Sequence, residues 1–332
     1  MPISAPAGLA PAALTDAPAM SPKTKTFFQR LFSTVVLLAV LGGALAWNNA
    51  YGYAALICLF CNMTTVEWYR MLRERADECC RWLVLGGGLV YPWVFAWGCF
   101  SRVIERGEGT FYPLPWEMAD VAVGALLVYV LVAFVVMLHR MDRRGLEAPR
   151  ALAGLGTTLL AFVYPVWMFV FALIFVKPGL ELLLIVLLLT KLSDIWAYVC
   201  GVLLGRRFIS RPFSPVVSPK KSWEGIIGSL LLTVLSAVPV CRLICGSGWA
   251  QALQLPQGAA AGTLALCTAV VFCAAVFGDL AGSLIKRGLG VKDSGSLLPG
   301  IGGIFDLIDS PAFTISLLYV VEMCLLSQLT LP

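Results

Sequence analysis

The chain has 332 residues, 59% of them apolar and only 13% charged, with a formal net charge of +5. A soluble domain carries about 25% charged residues, so the charge here is too sparse to coat a globule and a water-soluble protein is excluded. Eleven cysteines and a single histidine, His139, come without paired CxxC motifs. Most of the cysteines (Cys58, Cys61, Cys200, Cys267, Cys273) lie in apolar runs as small hydrophobes, which argues against a disulfide scaffold and a zinc site.

Residues 1–26 are rich in Ala and Pro and lack the basic start and apolar core of a signal peptide. They read as a disordered cytoplasmic tail. Beyond them, apolar runs long enough to cross a hydrocarbon core of roughly 30 Å as helices fall at 31–47, 50–66, 82–100, 119–138, 153–176, 180–204, 225–245, 260–281 and 311–330. The expected fold is an all-α polytopic membrane protein of about nine transmembrane helices. Residues 27–176 form an N-terminal set, and 177–332 form the region that carries the chemistry. Lys177-Pro178-Gly179 serves as a tight turn between the fifth and sixth spans. No internal repeat is visible, which weakens a transporter built on inverted halves.

Nineteen of the 24 Lys and Arg residues fall on one set of connecting segments and four on the other, with Lys191 inside a span. The positive-inside rule then places the N-terminus in the cytoplasm and the C-terminus on the opposite side. It also puts 206–224 and 282–310 on the same cytoplasmic face. The basic stretches 70–81 and 140–150 read as contacts with anionic headgroups, and His139 as an interfacial bystander.

In the sixth span Asp194 lies about 15 Å deep at 1.5 Å per residue. A carboxylate there costs at least about 2.5–3.5 kcal/mol to insert. It must face a polar cavity or pair with Lys191, three residues away on the same helical face. Gly201 and Gly205 suit close helix packing. Next, Ser218 is placed as a helix N-cap with Pro219 at the first helical position, so that Lys220, Lys221 and Ser222 occupy the first turn. That arrangement suits phosphate, and equally an ordinary cap with lipid-facing lysines. The eighth span ends with Asp279 between Gly278 and Gly282, followed by Ser283, Lys286 and Arg287. Lys292 and Asp293 lead into a loop containing Gly300, Gly302 and Gly303, and then to Asp306 and Asp309, spaced to share one helical face. Carboxylates from separate segments converging near lysines suit magnesium with a polyphosphate, because magnesium takes only one or two protein carboxylates plus phosphate oxygens.

These residues resemble the phosphatidate cytidylyltransferases, or CDP-diacylglycerol synthases. The family pattern S-x-x-K-R-x4-K-D, a spacer, then P-x-H-G-G-x-x-D-R-x-D is met in register by Ser283, Lys286, Arg287, Lys292, Asp293, Pro299, Gly302, Gly303, Asp306 and Asp309. Ile301 stands where the pattern has His, and Leu307 where it has Arg. Upstream, Asp194, Ala197, Tyr198, Gly201, Gly205, the run Ser218 to Ser222 and Glu224-Gly225 also fit, with Glu67-Trp68-Tyr69 a weaker match. The resemblance covers roughly 30–330, and its specific motifs lie in 194–310.

The resemblance implies an integral membrane enzyme (of the inner membrane, if bacterial) with its active site facing the cytoplasm. It would join CTP to phosphatidic acid, giving CDP-diacylglycerol and pyrophosphate. It implies Mg2+, as one ion or two, held by Asp279, Asp306 and Asp309. Lys220, Lys221, Lys286 and Arg287 would meet the phosphates. Ser218, Ser222, Ser283, Lys292, Asp293, Gly302, Gly303 and Asp194 would shape the substrate site. Membrane lipids are the expected surroundings, nucleic acid is not a partner, and a homodimer is allowed. The alternatives are a CTP-dependent polyprenol or phytol kinase, which would release CDP, an ion or solute transporter using Asp194 and Lys191, and an inactive scaffold. A CDP-alcohol phosphotransferase would need a D-G-x-x-A-R run, which is missing.

Overall fold

The structure is a computed structural model describing residues 49–73, 78–104, 115–176, 180–253, 255, 258–295, 297 and 302–329, with isolated positions between 36 and 47. Eight helices carry it: α1 (Ala50–Met71), α2 (Arg81–Ile104), α3 (Pro115–Arg144), α4 (Ala148–Phe175), α5 (Leu180–Leu204), α6 (Trp223–Cys245), α7 (Ala260–Gly288) and α8 (Phe305–Leu329). Among the described residues six helices, α2 to α7, are long and apolar enough to cross a membrane. Helices α1 and α8 coincide with two further expected spans but are not among those six. Both turn polar groups inward: Thr64, Thr65 and Glu67 on α1, and Asp309, Ser310 and Thr314 on α8. The expected tail, most of the first span and the turn at 177–179 lie outside the described residues.

Helix α4 is the axis of the bundle. Of its apolar window 72% is buried, against 22% for α3 and α7. Pro165 has no N–H to give and its ring crowds the preceding turn. The helix accommodates it with a π turn at Val163–Trp167 and ends in a 3-10 segment at Phe171–Phe175. Around α4 the main core joins residues of α1, α2 and α8, with Phe162 stacked on Tyr129 and Phe171 on Tyr319. A second cluster (Trp68, Leu72, Val84, Tyr164, Ile285, Phe305) lies beneath the polar loop before α8. Leu131, Val135, Leu203 and Leu235 point outward. Lipid tails are as apolar as these side chains, so close packing and interhelical hydrogen bonds, rather than exclusion of water, hold such helices together.

One feature departs from the all-α expectation. Pro212–Ser214 and Ser218–Ser222 form an antiparallel hairpin, β1 and β2, with Pro212 opposite Ser222 and Ser214 opposite Ser218. Ser218 is therefore not a helix cap, and Pro219 does not open a helix. The cap is Ser222, extended at φ −102° and ψ 155°, whose hydroxyl accepts the Gly225 N–H at 3.1 Å. Proline is tolerated in an edge strand because its missing N–H need not face a partner. The local signal of Ser then Pro is met equally well by a strand whose last residue caps the following helix.

Candidate active site

A cavity of about 460 Å³ opens between α5, β2 with the start of α6, α7 and α8. Asp194, Lys220, Lys221, Ser222, Asp279, Asp306 and Asp309 line it on the polar side, and Ala197, Tyr198, Val202, Ile226 and Val276 on the apolar side. It thus combines charged and apolar lining.

The acids reach this cavity because α7 and α8 approach closely. A Cβ at Gly278 would lie 2.8 Å from the Asp309 carbonyl oxygen, and one at Gly282 would lie 2.8 Å from Cβ and Oδ2 of Asp309. Larger residues at either position would push α8, and its carboxylates, away. The Tyr164 hydroxyl of α4 lies 2.7 Å from the carbonyl oxygen of Gly278 and 3.1 Å from that of Asp309, which ties both helices to the central one.

Each carboxylate in the cavity has a cation beside it. Lys221 pairs with Asp279, and Lys286 pairs with Asp306 while standing 3.8 Å from Asp309. Lys191 and Asp194 pair at 3.5 Å, and Asp194 also opens on to the cavity, so both sequence expectations for it hold together. Of the two glycines expected to allow close packing, Gly205 does, since a Cβ there would lie 3.1 Å from Ser222 Oγ, whereas a Cβ at Gly201 would meet nothing within 4 Å; the close approach at Gly201 is made by Gly225 of α6, whose Cβ would meet the Gly201 Cα at 3.3 Å. Asp306 sits in the first turn of α8, ahead of the apolar stretch from Pro311. Its burial disfavours charge, but the Lys286 ammonium and hydrogen bonds from the Gly303 N–H and the Ser294 hydroxyl outweigh that and hold it below the usual carboxylate range.

The loop before α8 is shaped around carboxylates. Asp306 Oδ2 accepts from the Ser294 hydroxyl at 2.8 Å and the Gly303 N–H at 3.0 Å. Gly302 has φ +125°, which side chains rarely adopt, and a Cβ there would lie 2.7 Å from Asp306 Oδ2. Behind the loop sits Glu67 of α1, 1% exposed. Its carboxylate accepts the Ile304 N–H at 2.8 Å, the Phe305 N–H at 2.9 Å and the Ser294 hydroxyl at 3.3 Å. The two amides belong to the start of α8, where backbone donors lack intrahelical acceptors. Gly303 has no room for a Cβ, which would lie 2.4 Å from Glu67 Oε2. Glu224 does the same for the other polar segment. It accepts the N–H groups of Arg206, Phe208 and Ile209 at 3.2, 2.9 and 2.6 Å, which holds Arg206 at φ +61°.

The fold therefore brings together Asp194, Lys220, Lys221, Ser222, Asp279, Asp306 and Asp309, with Lys286 reaching in through its acids. Ser218, Ser283, Arg287, Lys292, Asp293, Gly302 and Gly303 do not line the cavity. Gly302 and Gly303 shape the loop, while Arg287 at the end of α7 and Lys292 and Asp293 after it are exposed. Ile301 lies outside the described residues, and Leu307 packs against the main core. Sequence reasoning missed Glu67 as the loop clamp, together with Ser294 and Tyr164. Glu67 was named in the sequence only within the weaker match Glu67-Trp68-Tyr69, with no role given to it, and the further signal was an acid near the end of an apolar helix.

Among the described residues no group of three or more His, Cys, Asp or Glu side chains is arranged to hold a metal ion. The donor chemistry nevertheless suits magnesium, which needs only one or two carboxylates when phosphate supplies further oxygens. Four aspartates, Asp194, Asp279, Asp306 and Asp309, border one cavity here.

The model of the cytidylyltransferase family matches residues 28–325. The chain is 31% identical to a phosphatidate cytidylyltransferase of Pseudomonas aeruginosa over 287 residues, covering 85% of this chain and 92% of that protein. It is 31% identical to a phosphatidate cytidylyltransferase of Mycobacterium leprae over 203 residues, 56% of this chain and 60% of that protein. It is 34% identical to the uncharacterized protein YnbB of Escherichia coli over 168 residues, 50% of this chain. The matches thus span 51% of the Escherichia coli protein and 60% of the Mycobacterium leprae protein.

Proposed function

The chain belongs to the cytidylyltransferase family, and from that premise we propose that it transfers the cytidylyl group of CTP to phosphatidic acid, giving CDP-diacylglycerol and pyrophosphate. The observation that carries this reading is the cavity in which Lys220 and Lys221 face Asp279, Asp306 and Asp309 beside an apolar flank. A phosphate oxygen of the lipid attacks the α-phosphorus of CTP. The new P–O bond forms as the bond to the bridging oxygen breaks, and pyrophosphate leaves with that electron pair. The lipid phosphate is already an anion, so no strong base is required. Charge neutralisation and alignment carry the reaction.

The side chains supply these in a definite arrangement. Lys221 and Lys286, paired with Asp279 and Asp306, would meet phosphate oxygens together with Lys220. Asp279, Asp306 and Asp309 would hold Mg2+, which when bound neutralises developing charge on the phosphates. Tyr198, Val202 and Ile226 line the same cavity and would give the acyl chains an apolar flank. The bias of Lys and Arg toward the segments bearing the site supports a cytoplasmic face for it.

Detergent-solubilised protein incubated with labelled CTP, phosphatidic acid and Mg2+ should yield labelled CDP-diacylglycerol and unlabelled pyrophosphate. Release of CDP with phosphorylation of an alcohol would replace this reading by a kinase. Solute flux in liposomes without nucleotide would replace it by a transporter.

A further inference from the structure

Helix α5 stops at Leu204 and the chain turns out of it through a left-handed residue. Such positions favour Gly, which has no Cβ to clash. Here the residue is Arg206, at φ +61°, and among the described residues it is the one non-glycine residue at positive φ. Its backbone is held there by Glu224, which accepts the N–H groups of Arg206, Phe208 and Ile209. A side chain kept where Gly would sit freely points to a task for that side chain.

The side chain reaches β2. Arg206 Nη2 donates to the Pro219 carbonyl at 2.6 Å, and that carbonyl belongs to the peptide joining Pro219 to Lys220. The ladder of the hairpin leaves this stretch underdetermined. Pro212 pairs with Ser222 and Ser214 with Ser218, so Pro219, Lys220 and Lys221 lie opposite Phe213 alone. An irregularity of this kind re-aims side chains, and Pro219 has no N–H to tie it to a partner. Yet the two lysines that follow both line the cavity, and Lys221 pairs with Asp279. Their direction calls for a contact from outside the hairpin, and Arg206 makes one.

We propose that Arg206 is a positioning residue: through the Pro219 carbonyl it aims Lys220 and Lys221 into the cavity, and Glu224 fixes the backbone from which it acts. Arg206 is not among the residues that line the cavity, so it works through the lysines rather than on a substrate. Its effect on turnover rests on the cytidylyl-transfer reading above, whereas its effect on the placement of the lysines does not.

The test labels the full chain in detergent with an amine-acetylating reagent and reads each lysine by mass spectrometry. In the wild type Lys221, half-buried against Asp279, should label more slowly than exposed Lys220. Arg206→Gly takes the positive φ without strain and should melt within a few degrees of the wild type. Lys221 should nevertheless label about fivefold faster or more, and kcat/KM for CTP should fall about tenfold or more. Arg206→Lys keeps a charged donor for the one contact made, and should bring both readouts back to within about threefold of the wild type. If Arg206→Gly proves unstable, Arg206→Asn, which also tolerates the left-handed region, takes its place. Lys221 labelling within about twofold of the wild type in the stable variant, no recovery in Arg206→Lys, or unchanged kcat/KM in a protein whose wild type makes CDP-diacylglycerol would each overturn the proposal. A wild type that makes no CDP-diacylglycerol would refute the functional reading instead, and the labelling alone would then decide whether Arg206 sets Lys221.

Discussion

Replacing Glu67 by Gln tests whether a buried carboxylate on α1 holds the active-site loop. Its two oxygens accept the Ile304 and Phe305 N–H groups at 2.8 and 2.9 Å. Glutamine keeps one acceptor and turns an NH2 group toward the other amide, so donor faces donor. A hydrogen bond to a charged group contributes about 1.5–3 kcal/mol, and an unmet buried donor costs about 1–3 kcal/mol. The surviving bond also loses its charge. These figures overlap rather than add, and about 2–3 kcal/mol is expected for opening the start of α8. That corresponds to roughly a 30- to 150-fold rise in the opening equilibrium. Hydrogen–deuterium exchange over 302–308 reads it directly, because the rest of the bundle should keep its protection. Turnover should fall as well, since Ser294 links Glu67 to Asp306. Glu67→Ala removes both acceptors and should exceed the Gln variant. If Ile304 and Phe305 exchange within about threefold of wild type in both variants, the clamp is not what orders this loop.

Other predictions address the cavity itself. Asp279→Asn and Asp306→Asn should each lower CTP-dependent turnover by about 100-fold or more, and near-normal turnover in either would remove that acid from the proposed mechanism. Gly282→Ala gains up to about 1 kcal/mol of helix propensity. The new Cβ, however, would sit 2.8 Å from Asp309, and overpacking of that kind costs about 1–3 kcal/mol. The variant should melt lower in detergent and lose activity, and an unchanged melting temperature would count against the tight seam. Ser222→Ala should destabilise the start of α6 by about 1 kcal/mol, measured as lowered amide protection at Gly225. Ile301→His should change turnover less than tenfold if the site has adapted around isoleucine, because in the proposed reaction the lipid phosphate would need no imidazole to deprotonate it.

Much of this protein could be read without coordinates because the relevant signals are local. A long apolar run specifies a membrane helix wherever it packs, and α2 to α7 lie where those runs fall. The spacing of Asp306 and Asp309 and the glycines at 278 and 282 are properties of single helices, and each kept its meaning in three dimensions. What local pattern left open was the pairing of charges. Nothing in 206–224 or 282–310 says that Lys221 meets Asp279, that Lys286 takes Asp306, or that Lys292 and Asp293 face outward. The hairpin at 212–222 was likewise open, since Ser before Pro suits a strand as well as a helix start. Glu67 lies 237 residues before the amide of Ile304 that it accepts. A contact across that distance is set by where α1 crosses α8 around the central helix. Helix formation follows from neighbours along the chain, but the partner of a buried charge depends on which helices meet, and that emerges only when the whole bundle is packed.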